Sequence, residues 1–359
     1  MVRRMTFISR SQSPTETGDR VNGMLPFVLT LGLLVGVHEA GHLLASLVCR
    51  VRIHEIGLGL PPRLARIGSW RGAALTLNLL PLGGFILPAG EFDRTQEDGF
   101  AAAVARRRAA ILVGGPGANI LLAYLLFILA FMFGAPDRVR IVSVDAGSPA
   151  SQAGLRAGDI VTRVDGQRVK TPDELRATVR ANLGRTLQLA VQRGEQQSQL
   201  RLTPRLGWSA SGRAAGFVST GEIVRYPFGA AAARATQPVA DMLAVVLGIG
   251  RGTSDPGLRL VGIIGMKRVS DRALQNAIDW GEPFPVLFVA ASLSLALGIT
   301  NLLPVPGLDG GRLMLLAPEL LLRRRISDRL ERRLNATGVF ALLGLMLLLA
   351  LRDLSGPLL

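Results

Sequence analysis

The sequence predicts a polytopic α-helical membrane protein with four transmembrane helices and an α+β module inserted between the second and third. Three observations predict it. Hydrophobic residues make up 49% of the 359-residue chain against 19% charged, more apolar than a water-soluble domain of this length carries. Four stretches, 24–48, 109–133, 284–303 and the shorter 337–351, are apolar enough for helices across a hydrocarbon core, which takes about 20 residues. Between the second and third, turn signals and alternating residues replace the continuous apolar runs.

The first span opens at Met24. Residues 1–23 before it are polar, with Arg3, Arg4, Arg10, Pro14 and Arg20, and read as a disordered N-terminal tail; without an apolar core of their own they are no signal peptide. A fifth apolar run, 228–249, contains Arg234, Gln237, Pro238 and Asp241, which are costly facing lipid at the bilayer centre. It reads as an amphipathic helix lying on the membrane or against the other helices, within a linker region over 206–283.

Orientation follows from the loops. Between the first two spans, 50–108 holds nine arginines against five acids, and between the last two, 304–335 holds seven against four. The positive-inside rule puts both loops on the cytoplasmic side and 134–283 outside, with only the arginines of the tail pulling the other way. The formal charge of +15 does not imply a nucleic-acid partner, because the arginines cluster at the ends of apolar runs, as in Arg106-Arg107-Arg108 and Arg323-Arg324-Arg325. Cys49 is the single cysteine, so neither an intrachain disulfide nor a Cys-rich zinc module is available, and three histidines leave few ways to hold a transition metal.

The outer segment contains a folded unit over 136–205. Strands are expected at 139–144, 160–164, 187–191 and 199–202, with a helix over 171–182 opened by Thr171-Pro172-Asp173-Glu174. The stretch from Ser148 through Ala153-Gly154-Leu155, Gly158-Asp159 and the turn at Asp165-Gly166 resembles a PDZ domain of the bacterial kind. That resemblance implies a fold that binds an extended peptide at a sheet edge. A small spacer without a ligand is the other reading.

The chemistry sits in the first span. His38-Glu39-Ala40-Gly41-His42 places two imidazoles one turn apart on one helix face, where both reach a single cation while Glu39 flanks it. Zinc suits imidazole, and a glutamate so placed can take a proton from activated water as general base and return it to a leaving amine. Three ionisable groups inside an apolar helix are expensive in lipid and call for a function. His54 lies beyond the helix and reads as a surface or loop residue.

Two histidines leave a tetrahedral ion short of a protein ligand. After the third span comes Asn301-Leu-Leu-Pro304-Val-Pro306-Gly-Leu-Asp309-Gly-Gly311, a proline-broken helix end in which Asp309 is the natural third ligand. With the loops oriented as above, the first and third spans both run inwards. His38, His42 and Asp309 then reach the same depth in the cytoplasmic half.

These motifs together resemble the site-2 protease family of intramembrane zinc metalloproteases, in its bacterial PDZ-containing branch. Gly114-Gly-Pro-Gly-Ala-Asn119 resembles the family's second-helix motif, Asn78-Leu-Leu-Pro-Leu-Gly-Gly84 the loop before that helix, and Gly57-Leu-Gly59 the start of a membrane-associated β-loop. The resemblance implies two membrane halves, 24–133 and 284–359, and a loop over 57–87 that dips into the membrane. There Gly57, Gly59, Gly83 and Gly84 would bind an unwound substrate as an added strand, and Asn301 would contact its backbone. It also implies a Zn2+ cofactor, residence in the bacterial plasma membrane, and single-span substrates such as anti-sigma factors or remnant signal peptides, with a trimmed substrate end at the PDZ-like unit. One departure concerns the family's Gly-Pro-Ile-Gly segment, which here reads Val261-Gly-Ile-Ile-Gly265 without the proline. A catalytically inactive membrane scaffold presenting a PDZ-like domain is the alternative. It predicts loss of at least one of His38, Glu39, His42 and Asp309, and all four are present.

Overall fold

The computed structural model describes residues 23–205, 214–248 and 262–355. The tail read at 1–23 therefore lies outside the described residues apart from Gly23, as does Val261. The chain divides into two compact units, one comprising 131–228 and the other 20–130 with 229–359.

Helices dominate the second unit because its apolar runs carry few polar side chains to compete with the backbone, and a helix satisfies every internal N–H and C=O within lipid. Four are long and apolar enough to cross a membrane: α1 (Met24–Val48), α2 (Ala105–Phe133), α7 (Phe284–Asn301) and α9 (Asp328–Ser355). By length and composition this is a multi-pass membrane protein. The fourth span, expected over 337–351, starts nine residues earlier at Asp328. Its polar first turns carry the charges that a hydropathy reading trims away. The run read as amphipathic is α5 (Phe228–Val246), and a second amphipathic helix, α6 (Ile263–Trp280), follows it.

Bare backbone sets the helix contacts. A Cβ on Gly41 would stand 2.3 Å from the carbonyl oxygen of Gly114, and one on Gly114 would stand 2.7 Å from that of Gly41. α1 and α2 therefore cross at van der Waals distance, the close approach that small residues allow where no hydrophobic effect drives association. Gly298 of α7 packs on the Pro116 carbonyl of α2 in the same way, and Ser294 Oγ donates to the Asn119 carbonyl at 2.9 Å.

Polar ties fix α8 (Asp309–Leu322), the helix that begins at Asp309. Arg108 at the start of α2 is 2% exposed and donates to Glu319 of α8 at 2.9 Å and to Glu331 of α9 at 3.5 Å. Arg312 of α8 donates to Glu91 at 2.9 Å and lies over the rings of Phe92 and Phe100. Arg106 and Arg107 are exposed, so of that triplet only Arg108 serves as an internal tie. Such a buried network contributes little net stability, but it specifies one arrangement, since any shift of α8 strands a charge.

Between α1 and α2 lie β1 (Ile53–Trp70) and β2 (Ala73–Pro88), paired antiparallel. Each bends midway, so the halves line up in the order 83–88, 53–59, 73–78, 63–70, with Ile56 opposite both Ile86 and Leu75. Buried Glu55 holds the middle by accepting from Thr76 Oγ1 at 2.7 Å and from Arg63.

The other unit is built on β3 (Ala135–Val144), α3 (Pro149–Gln152), β4 (Ile160–Val164), β5 (Gln167–Arg168), α4 (Pro172–Ala181), β6 (Leu187–Arg193), β7 (Gln196–Leu202) and β8 (Phe217–Val224). Its strands run in the order β7-β6-β4-β3-β8, with β5 paired to β4. Alternation along β3 and β6 turns Val139, Ile141, Leu187, Leu189 and Val191 into one core with Leu175 and Val179 of α4. Thr171 caps α4 in a capping box with Glu174. The sheet does not close at residue 205. β8 falls within the linker expected from sequence, yet it pairs along the whole of β3 from Ala135↔Val224 to Val144↔Phe217. Its Gly221 and scattered polar residues break the alternation that marks a strand.

Asp159, 1% exposed, joins two parts of this unit: Arg193 donates to both its oxygens at 2.7 and 2.8 Å, and the Arg156 N–H donates at 2.9 Å. Burial alone would raise its pKa, but the bonds from Arg193 and the Arg156 amide outweigh it and hold the carboxyl below the usual carboxylate range. A depressed folded-state pKa stabilises the fold above the unfolded value of about 4 and loses that contribution as pH falls through the folded value. Asp159→Asn is expected to cost the unit about 2 kcal/mol at neutral pH and to flatten its loss of stability below about pH 4. Hydrogen exchange of the β3, β4 and β6 amides in the full chain reads both effects.

Candidate metal centre

The helical turn of α1 at 38–42 brings His38 Nε2 and His42 Nε2 to 3.1 Å. Asp309 Oδ2 lies 3.2 Å from the first and 3.3 Å from the second. These are the three sequence-predicted ligands, and among the described residues they form the one group of His, Cys, Asp or Glu donors close enough to share an ion. All three are mostly buried, with side chains 10%, 14% and 17% exposed.

The donor set fits zinc. Ligands at about 2.0–2.1 Å on a tetrahedron are separated by about 3.3–3.4 Å, close to the three spacings here. His42 Nδ1 is 2.8 Å from the Ile111 carbonyl, which can only accept, so Nδ1 carries the hydrogen and Nε2 presents a lone pair. The Asn119 side-chain amide lies 3.4 Å from His38 Nδ1, and its Oδ1 is buried without a partner. A half-turn of that amide gives the oxygen a donor in His38 Nδ1–H and leaves the second Nε2 as a lone pair as well. Two lone pairs and a carboxylate oxygen converging at 3.1–3.3 Å repel one another unless a cation lies among them.

Glycine makes the room. A Cβ on Gly115 of α2 would stand 2.4 Å from His42 Nε2 and 2.8 Å from His38 Nε2, whereas one on Gly117 would meet nothing within 4 Å. Gly115→Ala is expected to lower zinc affinity by at least about 10-fold, with Gly117→Ala unchanged, in a competition titration against a chromogenic chelator.

Asp309 arrives through a compact turn. Cβ atoms on Gly310 and Gly311 would stand 2.2 Å from the carbonyl oxygens of Leu302 and Val305, so only glycine lets the chain fold back into α8 there. Gly338 of α9 closes on the Pro306 carbonyl from the other side.

Glu39 is half-buried, and its Oε2 accepts the Ile86 N–H at 2.9 Å. That N–H points out of the ladder with β1, so the outer edge of 83–88 faces the glutamate. Gly83 and Gly84 permit the approach, since their Cβ atoms would stand 2.5 Å from Val35 of α1 and 2.6 Å from the Gly57 carbonyl. Gly57 lies under the Phe85 ring, and the Gly59 carbonyl accepts Asn78 Nδ2 at 3.2 Å. Asn301 ends α7 with its amide bonded back to the Leu297 carbonyl at 3.0 Å. His54 is exposed on β1. The Ile111 carbonyl and the Ile86 amide were not legible in sequence, because both act through backbone that any residue carries. Asn119 was legible only as part of a motif.

A sequence model of peptidase family M50 matches residues 26–345, nearly the whole chain. The chain belongs to peptidase family M50. This M50 peptidase, of the site-2 protease family, is thus a metalloprotease by membership, and its donor set is one that can hold zinc. It is 28% identical to Metalloprotease MmpA of Caulobacter vibrioides, over 92% of this chain and 95% of that one. It is also 28% identical to Cj1068 of Campylobacter jejuni, whose name gives zinc metalloprotease as a provisional assignment, over 92% and 93% of the two chains. Among solved structures, the PDZ domain of an SdrC-like protein of Listeria monocytogenes is similar over 24% of this chain and 90% of its own, at 24% identity and a TM-score of 0.21.

Proposed function

We propose that this M50 peptidase is a zinc-dependent intramembrane endopeptidase of the bacterial plasma membrane, cutting transmembrane segments of single-span proteins near the cytoplasmic face. The observation that carries the proposal is the convergence of His38, His42 and Asp309 donor atoms at 3.1–3.3 Å within a set of apolar helices. Zinc, when bound there, supplies Lewis-acid polarisation and activation of water.

The chain's own residues do the rest. Ile111 and Asn119 orient the two imidazoles, and Glu39, held by the Ile86 amide, takes and returns a proton as general base and acid. A peptide bond in a helix is shielded by its own hydrogen bonds, so a substrate must be unwound before it is cut. The edge at 83–88, beside Glu39, offers a strand to pair with the unwound segment; Gly57, Gly83 and Gly84 let that edge pack close, and Gly59 is assigned to the same substrate-binding sheet. Asn301, the last residue of α7 and directly before the 302–309 segment, is assigned to the substrate backbone. The sheet unit, read as PDZ-like, takes an extended peptide or trimmed substrate end on the outer side. Anti-sigma factors and remnant signal peptides are the substrate class that the family resemblance favours, and regulated intramembrane proteolysis the process.

The test is cleavage of a tagged single-span reporter by detergent-purified protein. Removal of metal with a chelator is expected to abolish cleavage, and stoichiometric zinc to restore it. Persistent cleavage after verified metal removal overturns the proposal. Zinc binding without cleavage of any reporter favours the scaffold reading.

A further inference from the structure

We propose that the outer arm and turn of the β1–β2 sheet, residues 61–72, form a docking surface for anionic phospholipid headgroups. Every residue from Pro61 to Gly72 is exposed, a run of twelve in a chain whose neighbouring segment 73–78 is largely covered. The arm 63–70 pairs with 73–78 on one side, and among the described residues no strand pairs with its other side. It nevertheless presents Leu64 at 59%, Ile67 at 57% and Trp70 at 39% exposure. An apolar strand with an open edge is a site of aggregation in water, so something covers it.

Charge identifies the cover. From Ile56 to Gly90 the chain has three arginines, Arg63, Arg66 and Arg71, with no lysine and no acidic residue. Arg63 is committed to Glu55. Arg66 bonds only locally, Nε to the Gly68 carbonyl at 3.4 Å, and Arg71 lies over the Trp70 ring at 5.1 Å; no carboxylate pairs with either among the described residues. A tryptophan and arginines set among leucine and isoleucine is the composition that the bilayer interface selects, the rings lying at headgroup level and the guanidinium groups reaching the phosphates. A second copy paired along this edge would bring like charges together. A substrate strand has its place at the opposite edge, 83–88, beside Glu39. The apolar spans belong to the same unit as this sheet, so a bilayer is at hand. The inference rests on the membrane reading of the β-loop and is independent of whether the metal centre cleaves peptide bonds.

The test leaves Trp70 as the sole tryptophan, through Trp208→Phe and Trp280→Phe, and reconstitutes the full chain into nanodiscs. These carry brominated phosphatidylglycerol or brominated phosphatidylcholine at equal mole fraction. Quenching of Trp70 by the anionic lipid is expected to exceed that by the zwitterionic lipid at least about twofold. Arg66→Gln with Arg71→Gln is expected to abolish that preference while both the phosphatidylcholine quenching and the zinc content stay unchanged. Equal quenching by the two lipids overturns the proposal. So does absence of quenching, and a Leu64→Cys cross-link between copies in a Cys49→Ser background would then identify a second chain as the cover. Proteolysis is read at no point in the experiment, so its outcome holds equally for an inactive enzyme.

Discussion

Glu39→Gln is expected to lower reporter cleavage by about 10³-fold while zinc stays at about one per chain. The substitution keeps the shape of the side chain and keeps an oxygen for the Ile86 N–H, which approaches Oε2 at 2.9 Å in the wild type. What it removes is the capacity to take a proton. His38, His42 and Asp309 close their triangle without help from Glu39, so the metal has no reason to leave. Elemental analysis beside the cleavage assay separates the two effects. If zinc is lost with activity, Glu39 acts in holding the metal and its role as general base is wrong. If zinc and cleavage both persist, another group moves the proton.

Asp309→Ala is expected to reduce bound zinc from about one per chain to below about 0.1 after dialysis against a weak chelator, with cleavage lost in parallel. The aspartate oxygen stands 3.2 and 3.3 Å from the two imidazole nitrogens, and two histidines alone do not complete a protein site for zinc. Asp309→Glu is expected to recover little. Gly310 and Gly311 pack with no space to spare against the 302–305 carbonyls, and α8 is tied through Arg312 and Glu319, so the backbone cannot retreat to make room for one more methylene. Retention of full zinc by Asp309→Ala would remove Asp309 from the ligand set. Circular dichroism of the variant checks that the helices remain.

Much of this arrangement was legible because membrane folding amplifies a few signals. In lipid a helix is the one structure that a single apolar run can adopt, so α1, α2 and α7 followed from composition within a few residues. The candidate metal donors were legible for the same reason: ionisable side chains in such a run are too costly to be incidental, and the i, i+4 spacing of His38 and His42 places both on one face. β8 was not legible. Its residues 217–224 alternate poorly, and their strand character comes from pairing with β3, more than 70 residues earlier in sequence. Arg108 reads in sequence, with its neighbours, as a charge at a helix end, and its burial against Glu319 and Glu331 depends on where α8 and α9 lie.

The sequence by itself determined the number of spanning helices, the pair of histidines with their glutamate, the candidate aspartate and the chemistry that such a set performs. All of these are local: they depend on residue type and on spacings within one helix or one turn. Only the tertiary structure decided that the donor atoms of His38, His42 and Asp309 lie within 3.3 Å of one another. It also decided which backbone groups orient them, and which edge of the sheet faces Glu39. Those features are set by how closely helices approach, through Gly41 on Gly114 and Gly298 on Pro116. A glycine in a sequence does not say what it will touch, because the contact belongs to two segments and only the packing joins them.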